Sequence, residues 1–298
     1  MKKEELKKKI EEITSFWPNS EKENRSELFK KTDKIIIYTH ELGYRKYVND
    51  NKFNKGKCNR QTFLQFFAVA ETDRQSFQTL EAIESNRGFE YLGKKELQLT
   101  GDFTDLDLDK EFKQQINGTK IVICGRKNAV AKDGTIIEIR STKDSDYGKK
   151  YLGGVGNKKG KPWDVHFSYF GMLLAERKMN GENPTLIAWY KGKIENQNFF
   201  LELTLNDEGF LICDGEKIGE YNFFDSIEKL KELEWYILKG QIPPKDYEKI
   251  TSENAQKYFE AGIIQSWEKD QAIQGKEMFQ WACRECNFRT FCHELEEQ

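Results

Sequence analysis

Three thiols fall within ten residues near the end of the chain, Cys283-Arg-Glu-Cys286-Asn-Phe-Arg-Thr-Phe-Cys292, in a C-x2-C-x5-C spacing. Soft ligands at this density make sense around something they hold, and a zinc ion or an iron–sulfur cluster is the usual guest. Both guests normally take four protein ligands. A fourth donor must therefore come from elsewhere, and whichever residue supplies it ties its own segment to the C-terminal cysteines.

The composition narrows the setting. Lys and Arg number 48 against 50 Asp and Glu, so no global basic field advertises nucleic acid, although a local basic groove stays open. The 21 Phe supply a real core for one large domain or two modest ones. Six cysteines in 298 residues are few for a disulfide scaffold, and in a reducing compartment a clustered set points to metal. No apolar h-region follows Met1-Lys-Lys-Glu-Glu, and no apolar run approaches the roughly 18 residues of a span. A soluble, cytoplasmic protein is expected.

Along the chain, residues 3–16 and 22–32 read as charged amphipathic helices, and Lys34-Ile-Ile-Ile-Tyr38 as a buried strand or helix start. Residues 61–85 look helical with a break near Thr72-Asp73. Strands are predicted at Glu96–Thr100, Lys120–Cys124 and Thr135–Arg140, the last entered through an Asp133-Gly134 turn. A Gly/Lys-rich loop runs from Asp144 to Lys161. A helix over Asp164–Asn180 precedes strands at Thr185–Tyr190, Phe199–Leu205 and Phe210–Cys213, and helices follow at 225–239 and 252–263. Helices, a sheet interrupted by one helix, and helices again predict an α/β unit with helical flanks. Its expected division is a helical region over residues 1–53 and a core over 54–298.

Four residues compete for the missing ligand position. Cys124 and Cys213 each end an apolar strand-like run, where a small buried thiol explains them. His293 adjoins Cys292, and neighbouring side chains on an ordered backbone rarely converge on one ion. Cys58 lies in the polar loop expected over Asn54-Lys-Gly-Lys-Cys58-Asn-Arg60 just before a helix, a plausible setting for an exposed ligand. The residues alone leave zinc and iron–sulfur equally open.

A lone cysteine followed by a basic residue and an aromatic-rich helix, joined to C-x2-C-x5-C near the C-terminus, resembles the four-cysteine staple of iron–sulfur members of the RecB-like PD-(D/E)XK nucleases. The CRISPR-associated adaptation exonucleases and the AddB subunit of bacterial end-processing complexes belong to that group. Phe288 and Arg289 also match its last loop, and the resemblance spans roughly residues 54–292. It implies a 4Fe-4S cluster, with zinc as the alternative, on Cys58, Cys283, Cys286 and Cys292. It further implies a restriction-endonuclease-like mixed sheet closed by that cluster, binding of DNA single strands or ends, and a protein partner in a nucleic-acid-processing complex.

Such nucleases hold Mg²⁺ or Mn²⁺ on an Asp and a Glu, with a Lys two residues after the Glu. The pattern would place Gly-x-x-Asp at 125–128 and Glu-x-Lys at 138–140, and the chain departs from it. Glu138 is kept, Asn128 offers a neutral carbonyl where the Asp should be, and Arg140 replaces the Lys with a cation too weakly acidic to act as a base. The family's Gln-x3-Tyr motif on the next helix is replaced by His166-Phe-Ser-Tyr-Phe170. Cleavage is therefore expected to be impaired. Two other readings stay open: an active exonuclease whose ligands are relocated to Asp133, Asp144, Asp146 or Asp164 with Lys127 or Lys143, and a metal-stabilised interaction protein with no nucleic-acid role. Within the loop over 149–161, Lys149, Lys150, Tyr151, Lys158, Lys159 and Lys161 are the expected nucleic-acid contacts. That loop lacks P-loop spacing and carries Pro162 where a Ser or Thr must bind Mg²⁺.

Overall fold

The computed structural model describes residues 25–48, 51–69, 71, 77–142, 164–192, 198–284 and 286–295. The expected helix at 3–16 and the basic loop with Lys149, Lys150, Tyr151, Lys158, Lys159 and Lys161 lie outside these residues, as do Asp144, Asp146 and Lys143.

Helix α1 (Arg25–Thr32) leads into β1 (Ile35–Tyr38), and a hairpin follows, β2 (Gly43–Val48) and β3 (Asn51–Gly56). Next come α2 (Asn59–Phe66) and the long α3 (Phe77–Leu99), then β4 (Leu108–Gln115), β5 (Ile121–Val130) and β6 (Ile136–Thr142). Helix α4 (Asp164–Met179) crosses to β7 (Thr185–Gly192), and β8 (Asn198–Leu205), β9 (Phe210–Cys213) and β10 (Glu216–Asn222) complete the sheet. Helix α5 (Phe223–Lys239) follows. The chain then runs through β11 (Lys249–Ile250), α6 (Ala255–Glu260), α7 (Ser266–Ile273), β12 (Met278–Phe279), α8 (Trp281–Arg284) and α9 (Arg289–Glu294).

The fold is mixed α/β around an eight-stranded sheet of both parallel and antiparallel pairs. Strand β5 organises it. Strand β4 pairs antiparallel along one edge of β5, from Gln115↔Val122 to Leu108↔Ala129. The other edge is shared: β1 runs parallel over Ile121–Cys124, and β6 pairs antiparallel only at Ala129 and Val130. Between them, Gly125–Asn128 has no strand partner on that edge among the described residues, so the sheet forks there. Beyond the fork β6 runs parallel to β7, and β8, β9 and β10 continue antiparallel.

Alternation along β6 sets the two faces. Ile136 joins the large core with Phe170, Leu173 and Leu174 of α4, while Ile137 and Ile139 pack with Leu97 of α3. Helix α3 comes close enough that a Cβ on Gly93 would stand 2.9 Å from Ile139 Cγ2. A third cluster seats Phe53 of β3 among Ile250, Ala255, Tyr258 and Ile264, so the hairpin anchors the C-terminal helices.

Three expectations are corrected. Glu96–Thr100 is no strand; residues through Leu99 form the last turns of α3. The first 53 residues are not simply helical, because β1 belongs to the main sheet and the β2–β3 hairpin runs across the expected boundary at 53/54. Asn54–Arg60 is no loop: it is the end of β3, a short link, and the start of α2 with Cys58 at its N-cap.

Candidate functional site

Two places bring chemistry-bearing residues together. The first gathers the cysteines. Cys58 stands in extended conformation (φ −82°, ψ 133°) at the head of α2, Cys283 lies in α8, and Cys292 lies in α9. A chain of turns folds the C-terminal set: Cys286 N–H donates to Cys283 O at 3.1 Å, Arg289 N–H to Cys286 O at 3.4 Å, and Cys292 N–H to Phe288 O at 2.9 Å. Phe288 is fully buried beneath them. All four cysteines line one cavity of ≈ 30 Å³, together with Gln61, Lys245, Tyr247, Lys249, Phe279, Ala282 and Arg289.

The surroundings act on the sulfurs in both directions. Phe288 N–H donates to Cys286 Sγ at 3.4 Å, and three cationic side chains, Lys245, Lys249 and Arg289, share the lining. Burial pushes the Cys58 thiol up to about 12; Asp246 adds to the rise, and the Asp246 and Gln61 backbone N–H groups oppose it. Burial, then the neighbouring Cys286 and Cys292, push Cys283 up to about 12, with Lys245 opposing. Cys58 and Cys283 thus stay protonated at neutral pH unless a cation repays their deprotonation, so the donor set fits a cationic guest. Among the described residues, no three His, Cys, Asp or Glu side chains are placed to hold a metal ion. The remaining thiols, Cys124 and Cys213, are buried in the sheet, apart from this cavity.

The second place is the fork. A cleft of ≈ 720 Å³ opens there, lined by Tyr38, Thr39 and His40 from the end of β1, by Cys124–Arg126, Asn128 and Arg140, and by Glu90 of α3. Glu111, Phe112 and Lys113 of β4 complete its wall. The side chains of Asn128 and Glu138 take over where the ladder stops. Asn128 N–H donates to Glu138 Oε1 at 3.0 Å, and Asn128 Oδ1 accepts from Ile139 N–H at 2.7 Å. Glu138 is fully buried, its other oxygen 3.4 Å from the Arg140 guanidinium, which also lies 5.9 Å over the Phe170 ring. The structure thus brings Asn128, Glu138 and Arg140 together, but as a closed polar bridge between strands.

The bridge extends to residues that the sequence pattern did not single out. Asn128 Nδ2 donates to Glu90 Oε1 at 2.8 Å, and Glu90 also faces Lys94 at 2.7 Å and Arg126 at 3.2 Å. At the rim, Tyr38 and His40 stack with ring centroids 5.7 Å apart and planes 9° apart. Desolvation holds His40 below its usual value although its ring is exposed on the cleft, Lys57 and Arg25 acting in the same direction and Glu41 against them. A carboxylate on a long helix has no local motif, so Glu90 could be found only from the fold.

Of the alternative ligands, Asp133 is an exposed turn residue whose carboxylate accepts Thr135 N–H at 2.9 Å. Lys127 is buried with its ammonium 5.3 Å from the Phe112 ring centroid. Neither lines the cleft. Asp164 and His166 fall in the first turn of α4.

No protein-family model matches the chain, and no curated protein matches it. A solved structure described as "Crystal structure of SSO0001" is similar over 96% of this chain and 93% of its own, at 16% identity and a TM-score of 0.38, a likeness too slight to bear on fold or function.

Proposed function

We propose that this chain is an iron–sulfur protein with a restriction-endonuclease-like core that binds DNA single strands or ends and does not hydrolyse them. The observation that carries the reading is the shared cavity: Cys58 and the three C-terminal cysteines, from opposite ends of the chain, line the same small space. Cys124 and Cys213, which are not part of the C-x2-C-x5-C pattern, do not. A tetrahedral zinc site draws its thiolates to roughly 3.8 Å from one another. The preference for a 4Fe-4S cluster over zinc rests on the resemblance of Cys58 with C-x2-C-x5-C to the four-cysteine staple, which implies that guest. A bound cluster would supply a redox-active, net anionic centre, and Lys245, Lys249 and Arg289 would balance its charge.

The state of the fork supports loss of cleavage. Holding Mg²⁺ or Mn²⁺ takes carboxylate oxygens with free lone pairs facing an open site. Glu138 instead spends one oxygen on the Asn128 amide and the other on Arg140, and Asn128 spends its carbonyl on Ile139. The cleft beside the bridge is lined by the Tyr38–His40 stack and Lys113, with Arg126 and Arg140 engaged by carboxylates, a surface suited to strand binding. No helix among the described residues is long and apolar enough to cross a membrane; the resemblance, not this absence, is the ground for proposing a cytoplasmic protein with a partner in a nucleic-acid-processing complex.

The test is anaerobic purification of the full chain. The reading expects iron and sulfide in the protein, a broad absorbance near about 400 nm, salt-dependent binding of labelled single strands, and no Mg²⁺- or Mn²⁺-dependent cleavage. A colourless protein with stoichiometric zinc overturns the cluster. Cleavage abolished by Glu138→Ala overturns the loss of hydrolysis, and no binding of any DNA at low salt overturns the nucleic-acid role.

A further inference from the structure

The segment that carries Cys58 is bound to the C-terminal half by contacts in which no cysteine takes part. Lys229 of α5 is almost wholly buried, and its ammonium lies 2.8 Å from Asp246 Oδ2 and 3.2 Å from the carbonyl oxygen of Lys57, the residue before Cys58. The same Asp246 oxygen accepts the backbone N–H of Asn59, the residue after Cys58, at 2.7 Å. Asn59 Nδ2 returns a bond to Lys229 O at 3.0 Å. Cys58 is thus gripped through both of its chain neighbours by one buried ion pair.

The surrounding chain follows the same plan. Asn54 Nδ2 donates to Asp246 O at 2.9 Å, Arg60 Nε to Pro243 O at 2.7 Å, and Tyr247 Oη to Gly56 O at 2.6 Å. Lys245 and Tyr247, on either side of Asp246, line the thiol cavity. Gly43 of β2 leaves the space that the grip needs: a Cβ there would stand 2.3 Å from Lys57 O and 2.7 Å from Lys229 Nζ.

We propose that Lys229 and Asp246 are positioning residues that hold Cys58 in the thiol cradle before any cluster arrives, and that their opposite charges tune the cluster once bound. This rests on the cluster reading above. Two buried charges with few other partners are a costly way to join two segments, and an apolar pair would often join them as well. What an apolar pair cannot do is accept the Asn59 N–H, hold the Lys57 carbonyl and set the local field. Partners of this kind, one bond beyond the ligands, govern guest retention in other metal sites.

The experiment compares anaerobically purified full-length wild type with Lys229→Met, Asp246→Asn and the double variant Lys229→Met/Asp246→Leu. It reads iron per chain, iron loss to a chelator, midpoint potential and thermal melting. Each single variant is expected to lose iron about tenfold faster. Asp246→Asn removes a negative charge and should raise the potential, and Lys229→Met removes a positive one and should lower it. The double variant should recover melting temperature without recovering iron retention, and it keeps the test valid if a single variant fails to fold. Iron retention and potential equal to wild type, with only melting altered, overturn the positioning role. A wild type purified without iron overturns the cluster reading itself, and the proposed role falls with it.

Discussion

The side-chain carbonyl of Asn128 accepts the backbone N–H of Ile139 at 2.7 Å, just where β5 and β6 cease to pair. Glu138 answers from the other strand by accepting Asn128 N–H, so two side chains continue a ladder that the backbones abandon. A fork in a sheet exposes backbone groups that must find partners. Here Asn128 and Glu138, the positions that the sequence resemblance would assign to a catalytic cation, supply those partners.

Glu138→Ala should therefore be a stability variant. It strips a fully buried carboxylate from both Arg140 and the Asn128 amide, and about 3 kcal/mol of unfolding free energy should be lost. Urea denaturation checks this. A variant as stable as wild type would mean that Glu138 serves something other than the strand bridge.

Asn128→Asp tests the fork from the other side. The amide nitrogen that donates to Glu90 becomes a carboxylate oxygen facing Glu90 at about the same distance, next to Glu138. Lys94 and Arg126 soften the repulsion without removing it. The variant should lose about 1–3 kcal/mol of unfolding free energy, and millimolar Mn²⁺ should restore part of the loss while leaving wild type unmoved. A wild type stabilised by Mn²⁺ would contradict the closed bridge.

Much of this arrangement was legible in the chain, and the exceptions have physical causes. Strands β5 and β6 are apolar runs joined by Asp133-Gly134, with Gly134 at φ +86°, a conformation suited to glycine. The last turns of α3 were read as a strand because Glu96-Leu-Gln-Leu alternates over four residues. Only Leu97 of that stretch is buried, and Leu99 is 86% exposed. Gly88 and Gly93 also look like breakers, although Gly93 is where the helix approaches Ile139. Strand β4 escaped notice because it shows a single buried residue, Phe112, among polar ones. The resemblance groups Cys58 with the three C-terminal thiols, and all four line one cavity. The Lys229–Asp246 grip was not legible, since a lysine within a helix and an aspartate near a proline carry no signal until the fold joins them.

Arg25 fastens α1 to the lip of the cleft. Its guanidinium meets the Glu41 carboxylate through two bonds, of 2.6 and 2.8 Å, and also reaches Ile36 O at 3.1 Å. Glu41 accepts Tyr38 N–H at 2.9 Å, so the pair fixes the turn that carries His40. Both side chains are 6% exposed. Arg25→Ala strands a buried carboxylate and should cost about 3 kcal/mol. If the cleft binds DNA, affinity should fall as well, because the Tyr38–His40 stack loses its footing; titration of labelled single strands measures this beside the unfolding experiment.

The cysteines divide into two groups that one set of variants separates. Cys124 and Cys213 are sheet residues, and for Cys213 burial, with Asp214 and Glu216, raises the thiol to about 12. Neither borders the thiol cavity, so Cys124→Ala and Cys213→Ala should change iron content little and cost only packing, about 1 kcal/mol. Cys58→Ser, Cys283→Ser, Cys286→Ser and Cys292→Ser each remove one of the four thiols that line the cavity, and on the cluster proposal each should bleach the protein and lower its iron. Because Cys58 sits in a segment already bound by Lys229 and Asp246, Cys58→Ser should stay folded while losing colour. Iron content and circular dichroism on the same samples decide it. A Cys58→Ser protein with full iron would remove Cys58 from the ligand set and leave the C-terminal thiols to find another partner.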